Sequence, residues 1–176
     1  LFVSFNIKPF SNFFSKNIAD SVVVRKISSY TARLLLFGGI ILASLTVVYG
    51  LDMLEVINPK RANNASAAVL ALLMFGFLGS VLTLVYGALL TAAKELKWLN
   101  RFAAITLGVN LILNYVLIPL YGAQGAALAT LVSQVFFGCM CYFVCFKMFR
   151  LRWKKSSAIS VLTGVILLPL SIIYTK

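Results

Sequence analysis

Histidine is absent from this chain of 176 residues, and acids are nearly so: Asp20, Asp52, Glu55 and Glu95 are all there are. General acid–base chemistry needs a titratable side chain held against a reacting proton, and His and the carboxylates are its usual carriers. Without His, neither an H-E-x-x-H metal motif nor a Ser–His pair can be written, and the four scattered acids form no D-x-D. The chain does not read as an enzyme, and nothing in it implies a cofactor. Cysteine is scarce as well. Cys139, Cys141 and Cys145 lie together, and Cys141 and Cys145 share a helix face, but no His or acid accompanies them as a metal partner. They read as small apolar residues packing in lipid or protein. Cys145 also falls where palmitoylation is open, with nothing else in support. The basic–apolar–small order of a signal peptide is missing from the start, which is Leu1 within the apolar LFVSFNIKPF. The expectation is the tail of an earlier helix, with both ends cut from a longer protein.

What the chain has instead is oil. Hydrophobic residues make up 61% and the mean hydropathy is +0.99, values outside the soluble globular class. The apolar residues gather into five runs, at 34–57, 67–93, 102–120, 126–146 and 158–174. A bilayer core of about 30 Å needs about 20 such residues per helical crossing. Thirteen of the sixteen cations fall before the first run, in the 94–101 gap, or in the gap that follows 146. Only Lys60, Arg61 and Lys176 fall on the other side. By the positive-inside rule, the N-terminal segment and the loops 94–101 and 147–156 face the cytoplasm. A net charge of +12 raises nucleic acid as a partner, but the cations flank apolar runs and form no RNA-binding motif. Anionic lipid headgroups are the counter-charge this placement fits.

The expected fold is all-α: a polytopic transmembrane bundle of about five spans, preceded by the tail of another helix. Three parts follow from this. Residues 1–33 are a helix end and cytoplasmic connector, 34–148 a four-helix unit, and 149–176 a basic loop and fifth span. The run SVVVRKISSYTAR is partly amphipathic and is expected along the cytoplasmic interface before continuing into the first span. NPKRANN carries turn chemistry, and KELKWLNR is a short basic turn whose Trp98 suits the interface. The second run is long, about 40 Å at 1.5 Å per residue. It must tilt, kink or project beyond the hydrocarbon.

Residues 109–134, VNLILNYVLIPLYGAQGAALATLVSQ, hold the most information. Asn110 and Asn114 are four apart, so both amides share a face, and an unbonded amide in hydrocarbon is costly. That face should meet protein or water. Pro119 lacks an N–H and conflicts with the Tyr115 carbonyl, so it ends or bends the helix. Tyr121–Gly125 is the tightest connection, with Gly122 and Gly125 permitting angles that other residues resist. Gly125, Ala129 and Ser133 then form a small-residue stripe, with Ala126 and Thr130 beside it. Such stripes let backbones approach closely in membranes. The expectation is a tight helical hairpin with a polar seam.

This stretch resembles the C-terminal domain of polysaccharide-biosynthesis transporters. These are the lipid-linked oligosaccharide flippases of the superfamily that also holds multidrug extruders. Their pattern is an Asn, then L-N, then L-I-P, then Y-G-A-x-G-A-A-x-A-T over two consecutive helices. It falls here on Asn110, Leu113 and Asn114, Leu117 to Pro119, and Tyr121 to Thr130. LFVSF resembles the family's L-F-P-x-[FS] helix end, with Val3 in place of Pro, and ALLTAAKELKWL resembles the end before its basic turn. GLDMLEVI sits where the family has an acid near the outer end of a helix. The likeness runs over 1–149 and is dense over some thirty residues. It implies the ninth to thirteenth helices of a transporter in the cytoplasmic membrane. Its partners would be the bilayer, a lipid-linked oligosaccharide and an N-terminal lobe of the same protein. One bundle alone would move nothing, because such transporters rock two bundles about a central cavity.

A lipid pyrophosphate headgroup needs cations, and Arg offers a two-pronged donor. Arg33 and Arg101 are the candidates for an entry clamp; they equally suit topology-setting cations that snorkel to headgroups. Asn110, Asn114 and Gln134 are the deepest polar side chains, as sugar contacts or as structural hydrogen bonds. Asp52 and Glu55 share a face near the outer surface, as a solvated interface or a coupling-ion site. Tyr49, Tyr86, Tyr115, Tyr121 and Tyr142 fit either a membrane belt or a cavity lining. The alternatives are a drug or cation extruder of the same superfamily and a membrane scaffold without transport. An extruder wants an acid deep in the membrane, and the interiors of the runs hold none.

Overall fold

The computed structural model describes residues 21–149, and all its regular elements there are helical. Helix α1 is Ser21–Ile57; a 3₁₀ turn at Pro59–Arg61 leads to α2, Asn64–Ala92; α3 is Leu96–Phe149. Each of the three is long and apolar enough to cross a membrane. The expected fifth span, 158–174, and the segments 1–20 and 150–176 lie outside the described residues.

The first four expected runs meet three helices, and the reason is in α3. Its 54 residues would stretch about 80 Å if straight, far beyond a bilayer core of about 30 Å. Gly122 breaks it, with φ 54° and ψ −128°. This left-handed backbone conformation is one that side chains with a Cβ resist. The two arms, 96–121 and 123–149, fold back on each other. The third and fourth runs are these arms, joined without an intervening loop.

Contacts fix the direction of every helix. Gly50 packs near Ala67, and Gly39 packs near Leu78, so α1 and α2 are antiparallel. Gly76 faces Leu131 and Gln134, Gly79 faces Gln134 and Val135, and Tyr86 meets Tyr142, so α2 and the second arm run the same way. One end of the bundle thus gathers the start of α1, the end of α2 and the end of the second arm. Val24, Ala32, Val85, Tyr86, Leu89, Leu90, Cys141 and Cys145 form a buried core there. Lys26, Arg33, Lys94, Lys97, Arg101 and Lys147 lie at this end, and Asp52, Glu55 and Lys60 at the other.

The run SVVVRKISSYTAR is continuous with the first span and has one face covered by the bundle. It is the first part of α1, and Val24, Ser28 and Ala32, four apart, are buried in the bundle.

Helix ends and irregularities have local causes. The Asn63 Oδ1 accepts from the Ser66 N–H at 2.7 Å and caps α2. At the other end Lys94 N–H donates to the Thr91 carbonyl and Glu95 N–H to the Leu90 carbonyl, the paired closure of a Schellman motif. The left-handed position of that motif is occupied by Lys94, at φ 59°. Within α2, Thr83–Gly87 winds as a π-helical turn. The expected irregularity of this long run thus takes the form of a widened turn. The buried Cys145 thiol donates to the Tyr86 carbonyl in that turn at 3.4 Å.

The crossing of α2 with the second arm is backbone on backbone. A Cβ added at Gly79 would lie 2.5 Å from the Gln134 carbonyl carbon, and one at Gly138 would lie 2.5 Å from the Gly79 oxygen. Gly79→Ala should destabilise the chain by about 1–3 kcal/mol, the usual cost of overpacking. Gly38→Ala, where an added Cβ meets nothing within 4 Å, should stabilise it by about 0.5–1 kcal/mol. Unfolding in detergent micelles checks the pair; equal effects at both glycines would refute the crossing. Lys94→Gly should add about 1 kcal/mol by relieving the left-handed residue, and the same unfolding measurement reads it.

Candidate functional site

The hairpin of α3 brings together most of the residues that the sequence singles out. Asn110 is a half-buried side chain on the first arm. Its Nδ2 donates to the Ser133 Oγ at 3.1 Å and to the Ala129 carbonyl at 3.4 Å, both on the second arm. Asn114 Nδ2 donates to Asn110 Oδ1 at 2.9 Å, and Ser133 Oγ donates to the Ala129 carbonyl at 2.7 Å. Four groups thus form one chain of hydrogen bonds across the arms. The four-residue spacing places both amides on one face, and the Gly122 break turns that face onto the second arm.

Small residues make the seam narrow. Gly125, Ala129 and Ser133 are buried, and a Cβ at Gly125 would collide with the Leu117 carbonyl. Gly125 therefore acts by close approach, whereas Gly122 acts by its positive φ. Thr130, on the neighbouring stripe with Ala126, bonds to the Ala126 carbonyl at 2.9 Å within its own helix. Pro119 and Tyr121 are exposed beside the break. Pro119 withdraws an N–H one turn before Gly122, which loosens the helix where it must end.

Other candidates stand apart from this seam. Gln134 is next to Ser133 in sequence but turns toward α2, where its Oε1 would lie 2.7 Å from a Cβ at Gly76. Arg33 is at the basic end, 6.0 Å from the Tyr30 ring, and its Nε is buried without a hydrogen-bond partner. Arg101 is exposed, with its guanidinium carbon 5.7 Å from the centre of the Trp98 ring. Asp52 and Glu55 are both exposed at the opposite end. The tyrosines divide. Tyr86 is fully buried with its ring edge-on to Tyr142 at 5.1 Å, while Tyr49, Tyr115 and Tyr121 are exposed.

Two features were not read from the sequence. The Gly76, Gly79 and Gly138 crossing brings Gln134 against α2, and its signal was a pair of glycines three apart in the second run. Thr106 sits one turn before Asn110, so Thr106, Asn110 and Asn114 form a polar row on the first arm. Its Oγ1 is buried and has no hydrogen-bond partner.

The seam is chemically a set of neutral donors and acceptors in an apolar bundle. It holds helices together and presents amide groups. In membranes such interhelical bonds are worth about 0.6 kcal/mol on average. A double-mutant cycle with Asn110→Ala and Ser133→Ala should return a coupling of about that size, read from unfolding in micelles. No coupling would mean that the two side chains do not meet. Gly125→Leu should open the hairpin, with loss of the folded species on size exclusion, whereas Leu128→Ala on the exposed side should leave it intact. Comparison with protein-family models, with curated proteins and with solved structures finds no match to this chain.

Proposed function

We propose that this chain is part of a multi-pass transporter that flips a lipid-linked oligosaccharide across the cytoplasmic membrane by alternating access. Three described helices are long and apolar enough to cross a bilayer, and in this reading the two arms of α3, folded back at Gly122, count as separate crossings. The basic end faces the cytoplasm, because cations are retained on that side. The observation that carries the reading is the hairpin seam. Asn110, Asn114, Gly122, Gly125 and Ala129 are positions of the transporter pattern, and each has a distinct physical task in the fold. Asn110 bonds across the arms and Asn114 bonds to Asn110 on its own arm, Gly122 turns the chain, and Gly125 and Ala129 admit the close approach.

The headgroup's phosphates need a cation at the entrance. Arg33 fits that need better than Arg101, since a guanidinium with an unmet, buried N–H gains most from an anion. Of the polar side chains expected to contact sugar, Asn110 and Asn114 are engaged with each other in the hairpin seam and Gln134 faces α2, so they serve the helix packing of this bundle. An extruder of drugs or cations would want an acid at membrane depth. Asp52 and Glu55 are exposed at the end of α1, which favours the lipid-linked sugar.

The test is a flipping assay in proteoliposomes holding the full-length gene product. A fluorescent polyprenyl-pyrophosphate oligosaccharide is placed in one leaflet, and a glycosidase outside reports its arrival in the other. The reading predicts transfer in minutes and a loss of about tenfold or more for Arg33→Gln, as befits a charge-assisted contact. Efflux of a cationic dye in place of lipid transfer would assign the extruder, and neither activity would leave the scaffold.

A further inference from the structure

The first arm of α3 carries a second feature that the seam does not use. Its face away from the second arm reads Lys97, Arg101, Ala104, Ile105, Gly108, Leu111 and Ile112, one helical stripe at spacings of three and four. All but Gly108 are exposed, Ile105, Leu111 and Ile112 by more than half. The stripe is cationic at the basic end of the bundle and apolar along its length. Lys94 is exposed beside it, on the turn that its left-handed backbone closes. Trp98 is also exposed; its ring packs on Phe102 at 5.9 Å and lies beneath the Arg101 guanidinium at 5.7 Å. That cation–π contact accompanies an Arg101 that is exposed, with guanidinium N–H groups able to donate to an anion.

Below the cations the stripe is shallow. Ala104 and Gly108 are four apart, and an added Cβ at Gly108 meets nothing within 4 Å, so a trough runs down the helix between Ile105 and Leu111. A partner that fits must combine an anionic head with an apolar tail, in that order from the bundle's end. A soluble anion would leave the trough empty, and an apolar helix would leave the cations without a counter-charge.

We infer that Lys94, Lys97, Arg101 and Trp98, with the Ala104–Gly108 trough, form a binding site for an acidic phospholipid. The headgroup phosphate bonds to Lys97 and Arg101, Trp98 sits at the glycerol level, and an acyl chain fills the trough. This inference rests on the membrane reading of the helices but not on the transported substrate. It makes the composition of the surrounding leaflet a determinant of how firmly the α2–α3 turn is held.

The experiment is native mass spectrometry of the full chain in detergent, titrated with phosphatidylglycerol or phosphatidylcholine of equal chain length. The expected result is tighter binding of phosphatidylglycerol. Lys97→Gln with Arg101→Gln should weaken it about thirty-fold, the worth of two cations near a lipid surface. Lys60→Gln, at the opposite end, should leave it unchanged, and Gly108→Leu should weaken it with every charge kept. The inference is overturned if the two lipids bind alike or if Lys60→Gln costs as much as the double variant. It is also overturned if glycerol phosphate competes as well as the lipid, or if a polyprenyl pyrophosphate displaces it at a tenth of its concentration.

Discussion

Hydrocarbon offers a helix neither hydrogen-bond partners nor a reason to leave the lipid, and the arrangement of this bundle follows from that constraint. Backbone groups must bond within their own helix, and contacts between helices must come from atoms that fit closely. The chain extends the first demand to several of its hydroxyls. Ser44, Thr46, Thr91 and Thr130 each bond to the carbonyl four residues earlier, at 2.8 to 2.9 Å. It meets the second with glycine. Gly76, Gly79 and Gly138 bring α2 onto the second arm of α3, and Gly125 brings the two arms together.

Once backbones touch at these points, the few polar side chains acquire fixed neighbours. Asn110 reaches the Ala129 carbonyl and the Ser133 hydroxyl because the second arm presents small residues there. The π-helical turn in α2 belongs to the same logic. It disturbs the carbonyl ladder near Tyr86, and the Cys145 thiol, from the second arm, bonds to the Tyr86 oxygen. A cysteine that reads as mere filler in sequence is thereby tied to an irregularity in another helix.

What could be read from residues alone was whatever depends on local spacing. The apolar runs marked the helices, Asn110 and Asn114 marked one face, and Pro119 with Gly122 marked the place where α3 folds. Gly125, Ala129 and Ser133 marked the surface that receives that face. What could not be read depends on a partner elsewhere in the chain. Gly76 and Gly79 are small on any reading, but only Gln134 and Val135 give their smallness a purpose. The burial of Val24, Ser28 and Ala32 requires the ends of α2 and α3 to be beside them, which the local spacing of this run does not reveal. Lys94 in a left-handed conformation ran against residue preference, and the Schellman closure of α2 overrides that preference at modest cost.

Sidedness is the most direct test of this account. With the native cysteines replaced, single cysteines at Lys26, Lys94 and Lys147 should all react with a membrane-impermeant maleimide from one face of the membrane. Cysteines at Lys60 and Ala123 should react only from the other. That division follows if α3 turns back at Gly122 and the basic residues share one end. Labelling of positions 94 and 147 from opposite faces would show that α3 does not fold back within the membrane, and the bundle described here would be wrong.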